Sequence, residues 1–242
     1  MKIAVFADIH GNLEAFTAVL AHIRRQPVDA LISLGDNVGY GADPEAVMAL
    51  IRENDVLSVL GNHEKAMNED AFIAWFNPLA QLAVHYTRSR LSARSLAEIR
   101  DYPTSRVIGP LRFVHGAPPD SPVLYLFQLS EATLIRKMKT MAETICFVGH
   151  THQLGLIRLD GDTLIREPLP VGQKHLDPAI PTIINAGSVG QPRDEDKRAK
   201  YVRFDTDTRM LTVEAVVYDN AAAADKILKA GIPADFARKL LE

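Results

Sequence analysis

Short apolar runs alternate with helical periodicity through residues 2–60. Lys2–Ala7 (KIAVFA) has the form of a buried strand. In Leu13–Arg25 the apolar positions Leu13, Phe16, Leu20 and Ile23 share one helical face. Pro27 ends that helix, and Ala30–Leu34 is the next strand. Asp43-Pro44 predicts an N-cap with proline at the first helical position, opening a helix to about Glu53. Val56–Leu60 is a third strand. Apolar strands alternating with helices predict a mainly parallel sheet covered on both faces. Residues 65–100 change character: alanine, leucine and arginine replace β-branched residues, which predicts two or three helices, one over Leu79–Leu91. Strand patterns then return at Leu111–His115, Thr144–Val148, Leu156–Leu159, Thr163–Glu167, Thr182–Asn185, Lys200–Phe204 and Met210–Val217, with Asp160-Gly161 as a hairpin turn. The tail, Ala221–Leu241, is helical with a break at Gly231 and Pro233. With no repeat and no long linker, the expectation is one domain over residues 1–242 carrying a helical segment at about 65–105.

Charge and cysteine content narrow the classes. The 27 Lys and Arg against 30 Asp and Glu give a net charge of −3. Obligate nucleic-acid binding rests on clustered positive charge, so no such partner is expected. A single cysteine, Cys146, excludes an internal disulfide and points to a reducing, cytoplasmic compartment. The apolar run Ile3–Ala7 is too short for a signal peptide, and no stretch reaches the ~18–20 apolar residues of a membrane helix.

The chemistry lies in five glycine-containing loops, each following an apolar strand: Asp8-Ile-His10-Gly11, Gly35-Asp36-Asn37, Gly61-Asn62-His63-Glu64, Val114-His115-Gly116 and Gly149-His150-Thr-His152. In α/β sheets, ligands bind in the crevice beyond the carboxyl ends of the strands. Asp-x-His and His-x-His put alternate side chains on one side of an extended segment, so two ligands from one loop can reach one ion. Asp8, His10, Asp36, Asn62, His115, His150 and His152 are too many ligands for one tetrahedral ion. They suit two ions with a bridging carboxylate. Mixed imidazole and carboxylate ligation favours manganese, iron, zinc, cobalt or nickel over calcium or magnesium. Two such ions, ~3.5–4 Å apart, activate a bridging water and clamp a phosphoryl group. His63 is left as a non-ligand that can protonate the leaving oxygen. His22 and His85 fall on helices, His175 in a loop. Cys146 and the pair Trp75-Phe76 fit core or helix packing better than chemistry.

The ordered set D-x-H, G-D, G-N-H-E, V-H-G and G-H-T-H, spanning residues 8–152, resembles the signature of the calcineurin-like metallophosphoesterase superfamily. Asn185-Ala-Gly-Ser-Val-Gly-Gln-Pro-Arg193-Asp and Val38-Gly39-Tyr40-Gly41 resemble its bacterial subgroup of single-domain, phosphodiesterase-like enzymes. The resemblance implies an αββα sandwich: two packed mixed β-sheets flanked by helices. It implies that Asp8, His10 and His152 bind one metal, that Asn62, His115 and His150 bind the other, and that Asp36 bridges. It assigns His63 as general acid and lets Asn62 touch both metal and phosphate. Two departures stand out. Gly39-Tyr40-Gly41 replaces the Asp-Arg-Gly of the superfamily's protein phosphatases, which removes a carboxylate behind the histidine and a phosphate-binding arginine. Glu64 replaces an aspartate, a change expected to affect loop support more than chemistry.

Arg193 is the candidate phosphate grip, and Tyr40 a candidate base-stacking ring at the site mouth. Arg88, Arg90, Arg94, Arg100 and Arg106 within Val84–Arg106 make a basic stretch that fits a solvated helix face. The expected function is hydrolysis of phosphodiesters or nucleotide phosphoanhydrides with two divalent transition-metal ions, manganese first among them. A phosphomonoesterase and a non-catalytic metal-binding scaffold are the alternatives. The expected partner is a small phosphoester or nucleotide, not a membrane, with the chain a monomer or small homo-oligomer.

Overall fold

The computed structural model describes residues 1–242. In chain order the elements are β1 (Lys2–Phe6), α1 (Leu13–Ile23), β2 (Ala30–Ser33), α2 (Pro44–Glu53), β3 (Leu57–Ser58), α3 (Asn62–Asn68), α4 (Asp70–Ile73), α5 (Pro78–Arg90), α6 (Ala93–Arg100), β4 (Ser105–Ile108), β5 (Leu111–Val114), α7 (Glu131–Thr140), β6 (Ile145–Val148), β7 (Leu154–Asp160), β8 (Thr163–Glu167), β9 (Gly172–His175), β10 (Thr182–Ala186), β11 (Ala199–Asp205), β12 (Met210–Val216), α8 (Asn220–Lys229) and α9 (Ala234–Leu241). The strands form two six-stranded mixed sheets, ordered β3-β2-β1-β11-β12-β9 and β4-β5-β6-β10-β7-β8. The expected parallel unit is present as β1, β2 and β3, but β1 pairs antiparallel with β11 on its other side.

Strand periodicity explains the layers. In β1, Ile3 and Val5 face the second sheet, while Ala4 and Phe6 face helices α1, α8 and α9. The same alternation in β6 sends Ile145 and Phe147 between the sheets and Cys146 and Val148 outward against Leu134 and Met138 of α7. Cys146 is therefore core, and burial raises its thiol pKa far above the usual range. Phe147 stacks on Phe113 at 5.3 Å and meets Phe204 of the opposite sheet edge-on at 6.0 Å. A separate apolar cluster, including Met48, Met67, Val84 and Ile99, ties α3, α5 and α6 to α2. No helix is long and apolar enough to cross a membrane.

Several elements differ from expectation. The helical segment holds four helices, α3 to α6, and begins at Asn62 rather than at about residue 65. Val56–Leu60 narrows to the two-residue strand β3. Asp43 makes no capping bond through its side chain; its carboxylate instead binds Lys226 of α8 at 2.8 Å. His175 is on a strand, β9, not in a loop. That strand is exposed along most of its length and joins the sheet through backbone pairing with β12. His22 is half-buried and hydrogen-bonds the Tyr201 hydroxyl at 2.9 Å, and His85 is exposed.

Candidate metal centre

All five loops converge beyond the carboxyl ends of β1, β2, β3, β5 and β6, so both sheets contribute. Asp8 and His10 follow β1, Asp36 follows β2, Asn62 and His63 open α3 after β3, His115 follows β5, and His150 and His152 follow β6. Three groups of ligand atoms each lie within 4.8 Å of one another: Asp8, His10 and His152; Asp36, His115 and His150; and His10, Asp36 and His63. Asp36 links the first two. Its Oδ2 is 3.8 Å from His10 Nε2 and 3.3 Å from His115 Nε2. Asn62 Oδ1 lies 3.1 Å from the same His115 nitrogen.

The loops do not reach this arrangement in extended form. Asp8, His10, Asp36, His150 and His152 all take φ between 50° and 69°, the left-handed region. Convergence comes from sharp turning at the polar residues themselves, not from strand-like alternation. Each such residue costs on the order of 1 kcal/mol or more, a strain that folds retain at functional sites.

The imidazoles are arranged as metal ligands are. His10 Nδ1, His152 Nδ1, His115 Nδ1 and His150 Nε2 each donate to a backbone carbonyl, of Val38, Gln191, Leu34 and Val123. Fixing the outer N–H leaves the inner nitrogen as an acceptor and sets the tautomer. Those inner nitrogens meet in pairs: His10 and His152 at 3.1 Å, His115 and His150 at 3.0 Å. Two such lone pairs at that distance repel unless a cation or proton lies between them. Asp8 Oδ1 is buried with no hydrogen-bond partner, although it sits 3.4 Å from His152 Nε2. The donor set therefore fits divalent cations with a taste for nitrogen and oxygen.

Electrostatics follow from burial. Desolvation holds His10 and His152 well below the usual imidazole range and His150 at about 3, so these rings are neutral. Desolvation also pushes Asp8 up to about 8. Burial would raise Asp36 as well, but the imidazoles of His115, His63 and His10 outweigh it and hold its carboxyl well below the ordinary range. His115 is the reciprocal case: burial opposes its charge, and the carboxylates of Asp36, Asp8 and Glu64 push it up to about 9.

Glu64 is fully buried and accepts from four backbone N–H groups: Asp36 and Asn37 at 2.7 Å, Gly61 at 3.0 Å and Val38 at 3.3 Å. Four donors and no other partner require the carboxylate form, even though burial raises its pKa. This residue clasps the Asp36 loop to the start of α3, the support role its sequence position suggested.

His63 is only 1% exposed. Its backbone N–H donates to Asp36 Oδ1 at 2.9 Å. Its Nδ1 is buried without a partner, and a Cβ added at Gly39 would stand 2.1 Å from that atom. Where a carboxylate behind this histidine is missing from the sequence, the structure has bare glycine backbone at positive φ. Desolvation, helped by the charges of His115 and Arg193, lowers the His63 pKa to about 4.

Arg193 is exposed, makes no ion pair, and bears electrostatically on Asp8, His10, His63 and His152. Its neighbour Asp194 is engaged instead by Lys200, a lysine 1% exposed on β11, at 2.5 Å. The loop after β10 that carries Arg193 also supports the site. Ser188 Oγ donates to the Asp8 carbonyl at 2.8 Å, and the Gln191 carbonyl receives the His152 N–H. The arginines of the basic stretch are turned to other tasks: Arg88 pairs with Asp70, Arg94 with Glu98, and Arg106 donates to the Ser58 carbonyl.

Two expectations are corrected. Tyr40 is not a free stacking ring: Phe236 stacks on it at 4.4 Å, and the rings of His10 and His63 each lie 4.4 Å away. Trp75 is not core; it is 83% exposed and lines a cleft of about 500 Å³ that begins at Asn62 and His150. Tyr125, which carried no sequence signal, stacks on His150 at 3.6 Å and 17°.

Comparison with known proteins accords with this geometry. A family model described as the calcineurin-like phosphoesterase superfamily domain matches residues 1–209. An uncharacterized protein of Methanocaldococcus jannaschii is 32% identical over 234 residues, covering 96% of this chain and 93% of its own. The crystal structure of a metallophosphoesterase from Sphaerobacter thermophilus is similar at a TM-score of 0.85 and 33% identity, over 100% of this chain and 99% of that one. A hypothetical protein from Pyrococcus horikoshii OT3 shares the fold at a TM-score of 0.79 and 19% identity, over 99% and 97% of the two chains. Fold, loop order and sequence agree, and the chain belongs to the calcineurin-like phosphoesterase superfamily.

Proposed function

We propose that this protein is a dinuclear metal-dependent phosphoesterase that hydrolyses phosphodiesters or nucleotide phosphoanhydrides. The observation that carries the reading is the pairing of four imidazoles, each tied outward to a carbonyl, around an aspartate that faces both pairs. Asp8, His10 and His152 would hold one ion, Asn62, His115 and His150 the other, and Asp36, which faces both pairs of imidazoles, would serve both. Two divalent transition-metal ions held there, manganese first among the candidates, would supply Lewis-acid charge and an activated water for attack on phosphorus.

The protein's own groups do the rest. Asn62 orients a phosphoryl oxygen from the edge of the ligand set. Arg193 grips a second oxygen and neutralises charge. Burial lowers the His63 pKa to about 4, so the ring takes up its proton from solvent when the substrate's phosphate anion binds beside it, and as imidazolium it delivers that proton from Nε2 to the leaving oxygen, Nδ1 being walled in by Gly39. Preference for a diester follows from charge. A diester carries one negative charge, which Arg193 can balance, whereas a monoester dianion needs the further arginine that the Gly39-Tyr40-Gly41 loop lacks.

The test is hydrolysis of bis-p-nitrophenyl phosphate and of p-nitrophenyl phosphate by protein stripped of metal and reloaded with manganese. Manganese-dependent turnover favouring the diester is expected. Turnover favouring the monoester would contradict the diesterase reading. No turnover of either ester with two metals bound would point to a binding scaffold.

A further inference from the structure

The cleft beside the metal centre has a composition unlike the centre itself. Its volume, about 500 Å³, is in the range that encloses small organic ligands. Asn62 and His150 form its inner end, and Trp75 its outer end. Apart from His150 no ionisable acid or base lines it, Tyr40 and Tyr125 being phenols. One wall is a chain of aromatic contacts leading away from the candidate general acid. Phe76 meets His63 edge-on at 4.9 Å and 76°, and Phe72 meets Phe76 at 5.7 Å and 88°. Tyr125 also lines the cleft, held by its stack on His150.

Exposure of the indole is the anomaly. Burying an aromatic ring of this kind stabilises a fold, yet Trp75 stands almost wholly in solvent beside other apolar side chains. Exposed apolar surface joined to a polar site marks a place for a ligand. Two amides give that ligand a chemical character. Asn77 Oδ1 already accepts from Ala80 N, and Gln128 Oε1 from Tyr125 N, both at 3.0 Å. What each has left to offer is its NH2, a donor. Flat apolar walls with amide donors and no side-chain charge match a neutral heteroaromatic ring bearing acceptor atoms.

We propose that this cleft is a specificity subsite for a nucleobase-like ring on the substrate, with Trp75 as its platform and Asn77 and Gln128 as donors to the ring edge. The proposal rests on the phosphoesterase reading for what the ring is attached to. The aromatic wall runs from His63, so the ring belongs to the group that leaves. Arg193, whose charge also bears on Tyr125, holds the phosphate where cleft and metal centre meet.

Trp75 is the chain's only tryptophan, so intrinsic fluorescence reads this one position. The manganese-loaded protein is titrated with adenosine 5′-monophosphate and with ribose 5-phosphate, which carries the same phosphate without the base. Saturable quenching by the nucleotide, absent with the sugar phosphate, is expected. By calorimetry, Trp75→Ala should weaken nucleotide binding by roughly 5- to 150-fold, the range found when a base loses an aromatic partner, and leave ribose 5-phosphate unchanged. Equal responses to both ligands, or unsaturable quenching like that of free indole, would overturn the proposal. So would a shift in emission on simple dilution, which would put Trp75 in a contact between copies of the chain. Saturable, base-dependent quenching without hydrolysis of any ester would sink the phosphoesterase reading and keep the subsite. Diester hydrolysis without base-dependent quenching would do the reverse.

Discussion

The candidate metal centre and the aromatic cleft adjoin, yet they are built on opposite principles. At the centre the side chains are polar, buried and held by two sheets, and the backbone is turned into the left-handed region at five of the seven candidate ligands. At the cleft most are apolar and partly or wholly exposed, carried on the short helix α4, the turn after it that holds Trp75 and Phe76, the start of α5 and the turn around Tyr125. The centre is over-determined: the imidazoles of His10, His115, His150 and His152 are each pinned by a carbonyl, and Glu64 alone fixes four backbone groups. Few contacts hold Trp75. In the function proposed, the buried polar centre carries the reaction and the exposed apolar rim sets what is admitted.

Changes at the centre should be the costly ones. His63→Ala should lower diester turnover by roughly 10²–10⁴-fold with metal content unchanged, read from steady-state rates and elemental analysis. The loss should be smaller for p-nitrophenyl esters than for alkyl esters, whose leaving oxygen needs the proton more. Equal losses for both would contradict proton delivery by this ring.

The scaffold beneath the centre answers to a different measurement. Phe147→Ala removes the ring that joins Phe113 to Phe204 across the sheets, and should cost about 3–5 kcal/mol in denaturant unfolding. Turnover per folded molecule should hold. A loss below about 1 kcal/mol would mean that the two sheets do not share a packed core at this position.

Glu64→Gln joins the two effects at smaller scale. A neutral amide keeps one acceptor oxygen and brings an NH2 towards backbone donors. Stability should fall by about 1–3 kcal/mol, and metal affinity by roughly 10–100-fold, as for other groups that hold ligands from behind. Melting curves with and without manganese separate the two. If the variant binds metal as tightly as the parent, the clasp on the Asp36 loop does not matter to the centre.

The same contrast explains what the sequence could tell. The convergence of the five loops was legible because histidine and aspartate beside glycine after an apolar strand is an uncommon arrangement, and five such loops occur in order. Their local geometry was not: nothing in Asp-x-His distinguishes an extended segment from the left-handed turns at Asp8 and His10. Strands β1, β2 and β6 announced themselves by apolar density. Strand β4 and strand β9 did not, because edge strands pair through backbone and leave side chains exposed, so Gly172–His175 carries no alternation. Helix α7 buries little beyond Leu134 and Met138, a weak periodic signal. Trp75 misled for a physical reason: a large apolar residue is usually buried, and its exposure depends on what packs around it in three dimensions. Lys200 is the mirror case, a charged residue in a strand that is buried because Asp194 and the Asp196 carbonyl receive its ammonium.

The central claim is that Asp36 joins two metal sites. Calorimetric titration of the metal-free protein with manganese tests it most directly, run in parallel on Asp36→Asn. Two equivalents bound per chain by the parent, and fewer than two at the same concentrations by the variant, is the predicted result. A parent that binds a single equivalent, or an Asp36→Asn protein that still takes up two with unchanged affinity, would contradict it.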